Sequence, residues 1–160
     1  MTPLAWLLGL ALPACGANGA AGLPVPPPMN PAAIVRPSSP NTALAAPASF
    51  VPAPDIATPV YDVPPEALFA AIRAVAEAEP RVFLAASYDD RLQAHYVVRS
   101  AVFNFPDQVM VQARAVGTNM SALVLYSRSV YGYSDLGANR KRIGAWLAAL
   151  DRRLASDRGH

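Results

Sequence analysis

The side chains best equipped for chemistry lie between residues 99 and 142. Arg99, Asp107, Arg128, Asp135, Asn139 and Arg142 carry planar donors and acceptors. Guanidinium forks match carboxylates in a two-bond geometry, so this set has two uses. It can close on itself as a polar clasp that fixes a strand-to-helix corner. Gly132 and Gly137 would then supply backbone freedom, and Ser134 or Asp135 the helix cap. Alternatively, Arg128, Arg140 and Arg142 can face the N-terminus of that helix and hold an anion or a headgroup. Residue types alone leave both open.

Groups suited to catalysis are few. His95 sits in an alternating strand pattern, where a surface or satisfied histidine is the ordinary case, and His160 ends a short tail. Asp89 and Asp90 adjoin in a turn, where carboxylates are normally solvated. Two histidines and a single cysteine do not make a zinc site. No Gly-x-Ser-x-Gly elbow or Gly-rich phosphate loop occurs. No metal, no cofactor and no enzymatic activity are expected.

The elements that must position these groups can be read from periodicity. Pro64-Pro65-Glu66 opens a helix, since proline is tolerated in a first turn and an acid there meets the positive end of the dipole. Leu68, Phe69, Ile72, Val75 and Ala76 share one face, and Pro80 stops the helix. Four strand patterns follow. They are Val82 to Tyr88, a run around Leu92 to Arg99, Val109 to Val116, and Ala122 to Val130. Leu92, Ala94, Tyr96 and Val98 alternate with Arg91, Gln93, His95, Val97 and Arg99, which predicts a half-buried strand. Phe105-Pro106-Asp107-Gln108 suits a turn. Connections this short fit antiparallel hairpins. After Ser134-Asp135 a last helix carries Ile143, Trp146, Leu147, Leu150 and Leu154 in one stripe, with Arg140, Lys141, Arg142, Arg152 and Arg153 outside it. The order α-β-β-β-β-α predicts an α+β fold of two layers. An antiparallel sheet of about four strands would carry the N- and C-terminal helices on one face.

The run Tyr126-Ser127-Arg128-Ser129, then Gly132-Tyr133-Ser134-Asp135-Leu136-Gly137-Ala138-Asn139-Arg140-Lys141-Arg142, resembles the signature of the domain-of-unknown-function 1499 family. Phe105-Pro106-Asp107 is similar to that family's aromatic-x-Asp turn, and Arg99-Ser100 to its Arg-Ser. The resemblance covers about residues 57–154. It implies a fold-sized unit and a shared polar cluster of Arg99, Asp107, Ser127, Arg128, Ser129, Gly132, Ser134, Asp135, Gly137, Asn139, Arg140 and Arg142. It implies no reaction, because the family has no established activity. Val130 and Tyr131 stand where arginine is common in relatives.

Composition divides the chain of 160 residues. Of its 24 charged residues only Arg36 and Asp55 fall in the first 60, whereas 15 of 17 prolines lie at or before Pro65. Beyond residue 56, 12 basic residues face 10 acidic ones. That near-balance lacks the clustered basic face of a nucleic-acid binder. Leu4 to Leu12 is a nine-residue apolar run, too short to span a membrane and suited to the core of a signal peptide. Leu12-Pro13-Ala14-Cys15 follows it and resembles the bacterial lipobox. Cys15 is the only cysteine. The expected division is a signal peptide over 1–14, a lipidated Cys15 with a disordered Pro/Ala-rich tether over 15–56, the domain over 57–154, and a tail over 155–160.

These readings set the functional expectations. The chain reads as a lipoprotein of the bacterial envelope, on the periplasmic face. Gly16 after the cysteine resembles lipoproteins sent on to the outer membrane. The domain is expected to have a structural or partner-binding role. The alternative is a binder of a small apolar or amphipathic ligand, held between the sheet and the last helix by Phe69, Tyr96, Phe103 and Trp146. The partners are then the membrane through Cys15 and either an unidentified protein or that ligand.

Overall fold

A computed structural model describes residues 17–157. Residues 1–14, Cys15 and His160 lie outside the described residues. The elements are β1 (Thr42–Pro47), β2 (Ile56–Thr58), α1 (Pro65–Ala78), β3 (Val82–Tyr88), β4 (Gln93–Arg99), β5 (Pro106–Gly117), β6 (Met120–Ser129) and α2 (Ala138–Asp157). One six-stranded sheet runs in the order β2-β1-β6-β5-β4-β3. All its pairings are antiparallel except β1 with β2, which run parallel. The α+β class therefore holds, but the sheet is mixed and has six strands, not about four.

The two extra strands come from the proline-rich region, which corrects the division at residue 57. β1 pairs with β6 from Thr42↔Arg128 to Ala45↔Leu125. Ala43, Leu44, Ala45 and Ala46 are almost completely buried. Small residues suit this place because both faces of the strand are covered. Arg36 and Asp55 form an ion pair at 2.8 Å, and the same carboxylate accepts the Leu44 N–H at 2.8 Å. So the two charges of the first 60 residues clip the entry and exit of β1 together.

Side-chain alternation divides the sheet into two faces. On one face Ala43, Ala45, Tyr96, Val98, Val109, Val111, Leu123 and Leu125 meet Leu68, Ile72 and Val75 of α1 and Ile143, Trp146 and Leu150 of α2. Both helices thus pack on one face. Tyr96 and Trp146 meet edge to face there, 6.1 Å between ring centres. On the other face Leu44, Ala46, Met110, Val124 and Tyr126 form a second core with Ile34, and Met29 and Phe50 pack against it.

That second face is covered by the segment expected to be a tether. Gln93 donates from Nε2 to the Met29 carbonyl and accepts the Met29 N–H at Oε1, both at 2.7 Å. The Tyr88 hydroxyl donates to the Pro26 carbonyl at 2.6 Å. Arg99 donates to the carbonyls of Gly19 and Ala21 at 2.9 and 2.8 Å. Outside two short turns this irregular segment does not bond its own backbone, so polar side chains of the sheet do so instead. This explains why β4 is buried along its whole length, although its alternation predicts burial on one side only.

Candidate functional site

The residues singled out by the sequence separate onto two faces. On the helix face a closed polar cluster forms. Asp107 lies at the start of β5, in the strand rather than in the expected turn, and Arg142 lies in the second turn of α2. Their ion pair is 2.6 Å long, with side chains 10% and 15% exposed. Arg142 also donates to Ser127 Oγ at 3.0 Å and to Asn139 Oδ1 at 2.8 Å. Asn139 and Arg142 are three apart on α2 and so share a face. Ser127 stands beside Val109, and Ser129 beside Asp107, in the β5–β6 register. Asn139 is fully buried. It accepts the Ser127 hydroxyl, and its Nδ2 donates to the Asn41 carbonyl, Ser129 Oγ and Asp135 Oδ2.

The start of α2 is capped from within. Asp135 accepts the N–H groups of Gly137 at 2.9 Å and Asn139 at 2.8 Å, and Ser134 Oγ accepts the Leu136 N–H at 3.2 Å. Gly137 has φ +80° and Gly132 φ +90°, conformations that L side chains rarely adopt. The place an external anion would take at this helix terminus is held by the Asp135 carboxylate. The geometry is that of a clasp. Arg140 is exposed on α2 and does not enter it.

Arg99 and Arg128 do not join this cluster. Each is one residue out of phase with the helix-facing positions of its strand, and a one-residue step reverses the face. Arg128 donates from Nε and Nη2 to Gln108 Oε1 at 3.0 and 2.7 Å. Asn41 is a member that the sequence did not suggest. Its carbonyl bonds Asn139, and its Nδ2 donates to the Gly132 carbonyl at 2.7 Å. The available signal was the short apolar run between Pro40 and Pro47 that Asn41 precedes.

A cleft of about 430 Å³ lies on the second face. Pro24 to Met29 form one wall, and Val97, Met110 and Tyr126 line it from the sheet together with His95 and Arg128. Of the aromatic set expected to line a cavity, Tyr96 alone borders this cleft. Phe69, Tyr96 and Trp146 are in the main core, and Phe103 is 68% exposed. His95 Nε2 is 2.9 Å from Gln93 Oε1. An amide oxygen can only accept, so the Nε2–H tautomer fits. The Tyr88 ring meets the imidazole edge-on. Burial pushes the His95 pKa down to about 4 and the Tyr126 hydroxyl up, the latter opposed by the nearby charges of Arg128 and Arg36.

The imidazole gives a pH prediction. An unfolded histidine takes up its proton near pH 6.5, whereas the native one does so near pH 4. Between those values the unfolded chain binds more protons, so stability falls as pH is lowered from about 6.5 to about 4. Urea titrations across this range should show a shallower fall for His95→Gln than for the parent. Parallel curves would mean that His95 does not contribute to the acid response.

Residues 34–150 match the family described as "Protein of unknown function (DUF1499)". No curated protein matches the chain. The matched stretch begins ahead of β1 and ends within α2, so it takes in the clasp from Asn41 to Arg142 and far more than half of the sequence. The chain belongs to the DUF1499 family.

Proposed function

We propose that this protein is a non-enzymatic envelope lipoprotein, anchored through Cys15, whose domain holds a small amphipathic molecule in the cleft between the sheet and its proline-rich cover. The observation that carries this reading is the make-up of the cleft. Its volume falls in the ordinary range of ligand sites, which are mostly apolar with a few placed polar groups. Val97, Met110, Tyr126 and the prolines supply apolar surface, and the Arg128 guanidinium supplies one fixed positive charge. Such a pairing suits an acyl or other apolar body ending in a carboxylate or phosphate. The apolar run Leu4 to Leu12 followed by Cys15 supports export and acylation, and the outer membrane is the favoured address.

Native mass spectrometry of the purified full chain should show a co-purified amphiphile. A fluorescent polyene fatty acid serves as the probe in solution. Arg128→Gln should weaken its binding about 10- to 100-fold, the value of one charge-assisted hydrogen bond, and weaken the corresponding alcohol much less. Ala85→Phe, at the half-buried edge of the cleft, should block both. A folded chain with neither co-purified amphiphile nor probe binding would leave a structural or partner-binding role. That second reading is favoured by the clasp, whose polar groups are turned on one another.

A further inference from the structure

The contacts of Ala17 and Gly19 bring the N-terminal segment to one end of the sheet. Ala17 is tied to the β4–β5 hairpin, since Asn104 Nδ2 donates to the Ala17 carbonyl at 3.0 Å. Gly19 rests against the Phe83 ring and accepts from Arg99. Cys15 is two residues away, and two residues span at most about 7 Å. An acyl anchor on Cys15 would therefore start within that reach of Ala17, itself bonded to the hairpin, with no long tether between them.

The same end of the sheet exposes apolar side chains. The hairpin sequence 100–106, SAVFNFP, carries no charge. Val102 is 82% and Phe103 68% exposed, and the Phe103 ring stacks on Phe105 at 5.4 Å. The hairpin is held in shape by the Asn104 N–H to the Ser100 carbonyl and the Ser100 N–H to the Phe105 carbonyl. The β6–α2 loop leaves the sheet beside it, where the Val130 N–H bonds the Pro106 carbonyl. That loop exposes Tyr133 at 74% and Leu136 at 97%. Basic groups border these tips. Arg81 donates to the Ser100 carbonyl at 2.7 Å, and Arg140 and Lys141 are exposed in the first turn of α2. Grouped apolar tips with cations behind them suit insertion into the interface of a bilayer with anionic lipids.

We infer that the domain docks directly on the membrane through this end, with the hairpin tip Val102–Phe103 and the loop residues Tyr133 and Leu136 entering the interface. The inference rests on the anchor reading of Cys15. The proline-rich segment then acts as a strap that leads from the anchor over the domain, rather than as a stalk.

The full chain, expressed in a bacterial host and reconstituted in phosphatidylethanolamine–phosphatidylglycerol vesicles, gives the test. The mass of the N-terminal fragment first establishes whether Cys15 is acylated. An acylated Cys15 offers no thiol, so Val102→Cys, or Thr118→Cys at the opposite end of the sheet, becomes the sole site for an environment-sensitive label. The label at 102 is expected to shift to the blue, to be quenched by nitroxide lipid and to be protected from iodide, whereas the label at 118 shows the reverse. Equal iodide quenching of both labels on an acylated chain overturns docking while leaving the anchor intact. Protection of residue 102 from both quenchers, with the mass of a dimer, assigns the tip to a second copy and likewise overturns it. A free Cys15 removes the anchor and the docking together.

Discussion

Arg142→Ala is expected to destabilise the domain by about 3–5 kcal/mol, the range for removing one partner of a buried ion pair. Asp107 would be left 10% exposed without its cation. Ser127 and Asn139 would each lose a charge-assisted donor. For a domain of this size the melting temperature should fall by roughly 10–20 °C. Arg142→Lys should recover only part of the loss, because an ammonium cannot serve Asp107, Ser127 and Asn139 from one planar fork. The pair Asp107→Leu with Arg142→Met should be markedly more stable than either single change, since no charge is then left unpaired. Arg128→Ala is the contrast. Its partner is Gln108, not a buried carboxylate, and the contact is exposed. Its cost should stay within about 1 kcal/mol. Comparable losses at 128 and 142 would contradict the assignment of Arg142 as the keystone of the clasp.

The clasp was partly legible because its members follow local rules. Asn139 and Arg142 are spaced to share a helix face, and Ser134-Asp135 has the chemistry of a cap. What spacing could not give was the face of each strand position. Arg128 lies between Ser127 and Ser129, both of which turn to Asn139, so adjacency in sequence places it on the opposite side of the sheet. The same holds for Arg99, whose acceptors Gly19 and Ala21 are some 80 positions away in the chain.

The N-terminal region was hidden for a different reason. β1 is Thr-Ala-Leu-Ala-Ala-Pro, and a strand buried on both faces by small residues shows no alternation. The segment before it, rich in proline, bonds its own backbone only in short turns at Asn18–Ala21 and Asn30–Ile34, so little that is local marks it as ordered. Its order comes from Gln93, Tyr88 and Arg99 on the sheet. By alternation those polar residues read as the solvated side of a half-buried strand, and they would be oddly polar only if another helix covered that face. They are explained once a backbone with free carbonyls lies there.

The start of the folded unit yields the other large effect. A fragment comprising residues 57–160, the unit suggested by charge and proline content, should fail to unfold cooperatively in urea. It lacks β1, which lies between β2 and β6. Losing β1 strips Leu44, completely buried, together with three buried alanines. Full burial of one leucine is worth about 1.5–3 kcal/mol. The loss also bares the edge of β6 and uncovers its second face, where Val124 and Tyr126 pack against Ile34 and Leu44, and removes the Asn41 carbonyl from Asn139. Together these terms approach the whole stability of an ordinary domain, about 5–15 kcal/mol. A fragment beginning at Arg36 keeps β1, β2, Asn41 and the Arg36–Asp55 pair but lacks the cover over the second face. It should unfold cooperatively at lower urea and lose the cleft wall made by Pro24 to Met29. The full chain should be the most stable of the three. If residues 57–160 instead showed a cooperative transition with the slope expected for their size, β1 would be a passenger on a four-stranded core and the strap an ornament. The pairing of β1 with β6 and the burial of its four central residues argue that the sheet does not close its core without it.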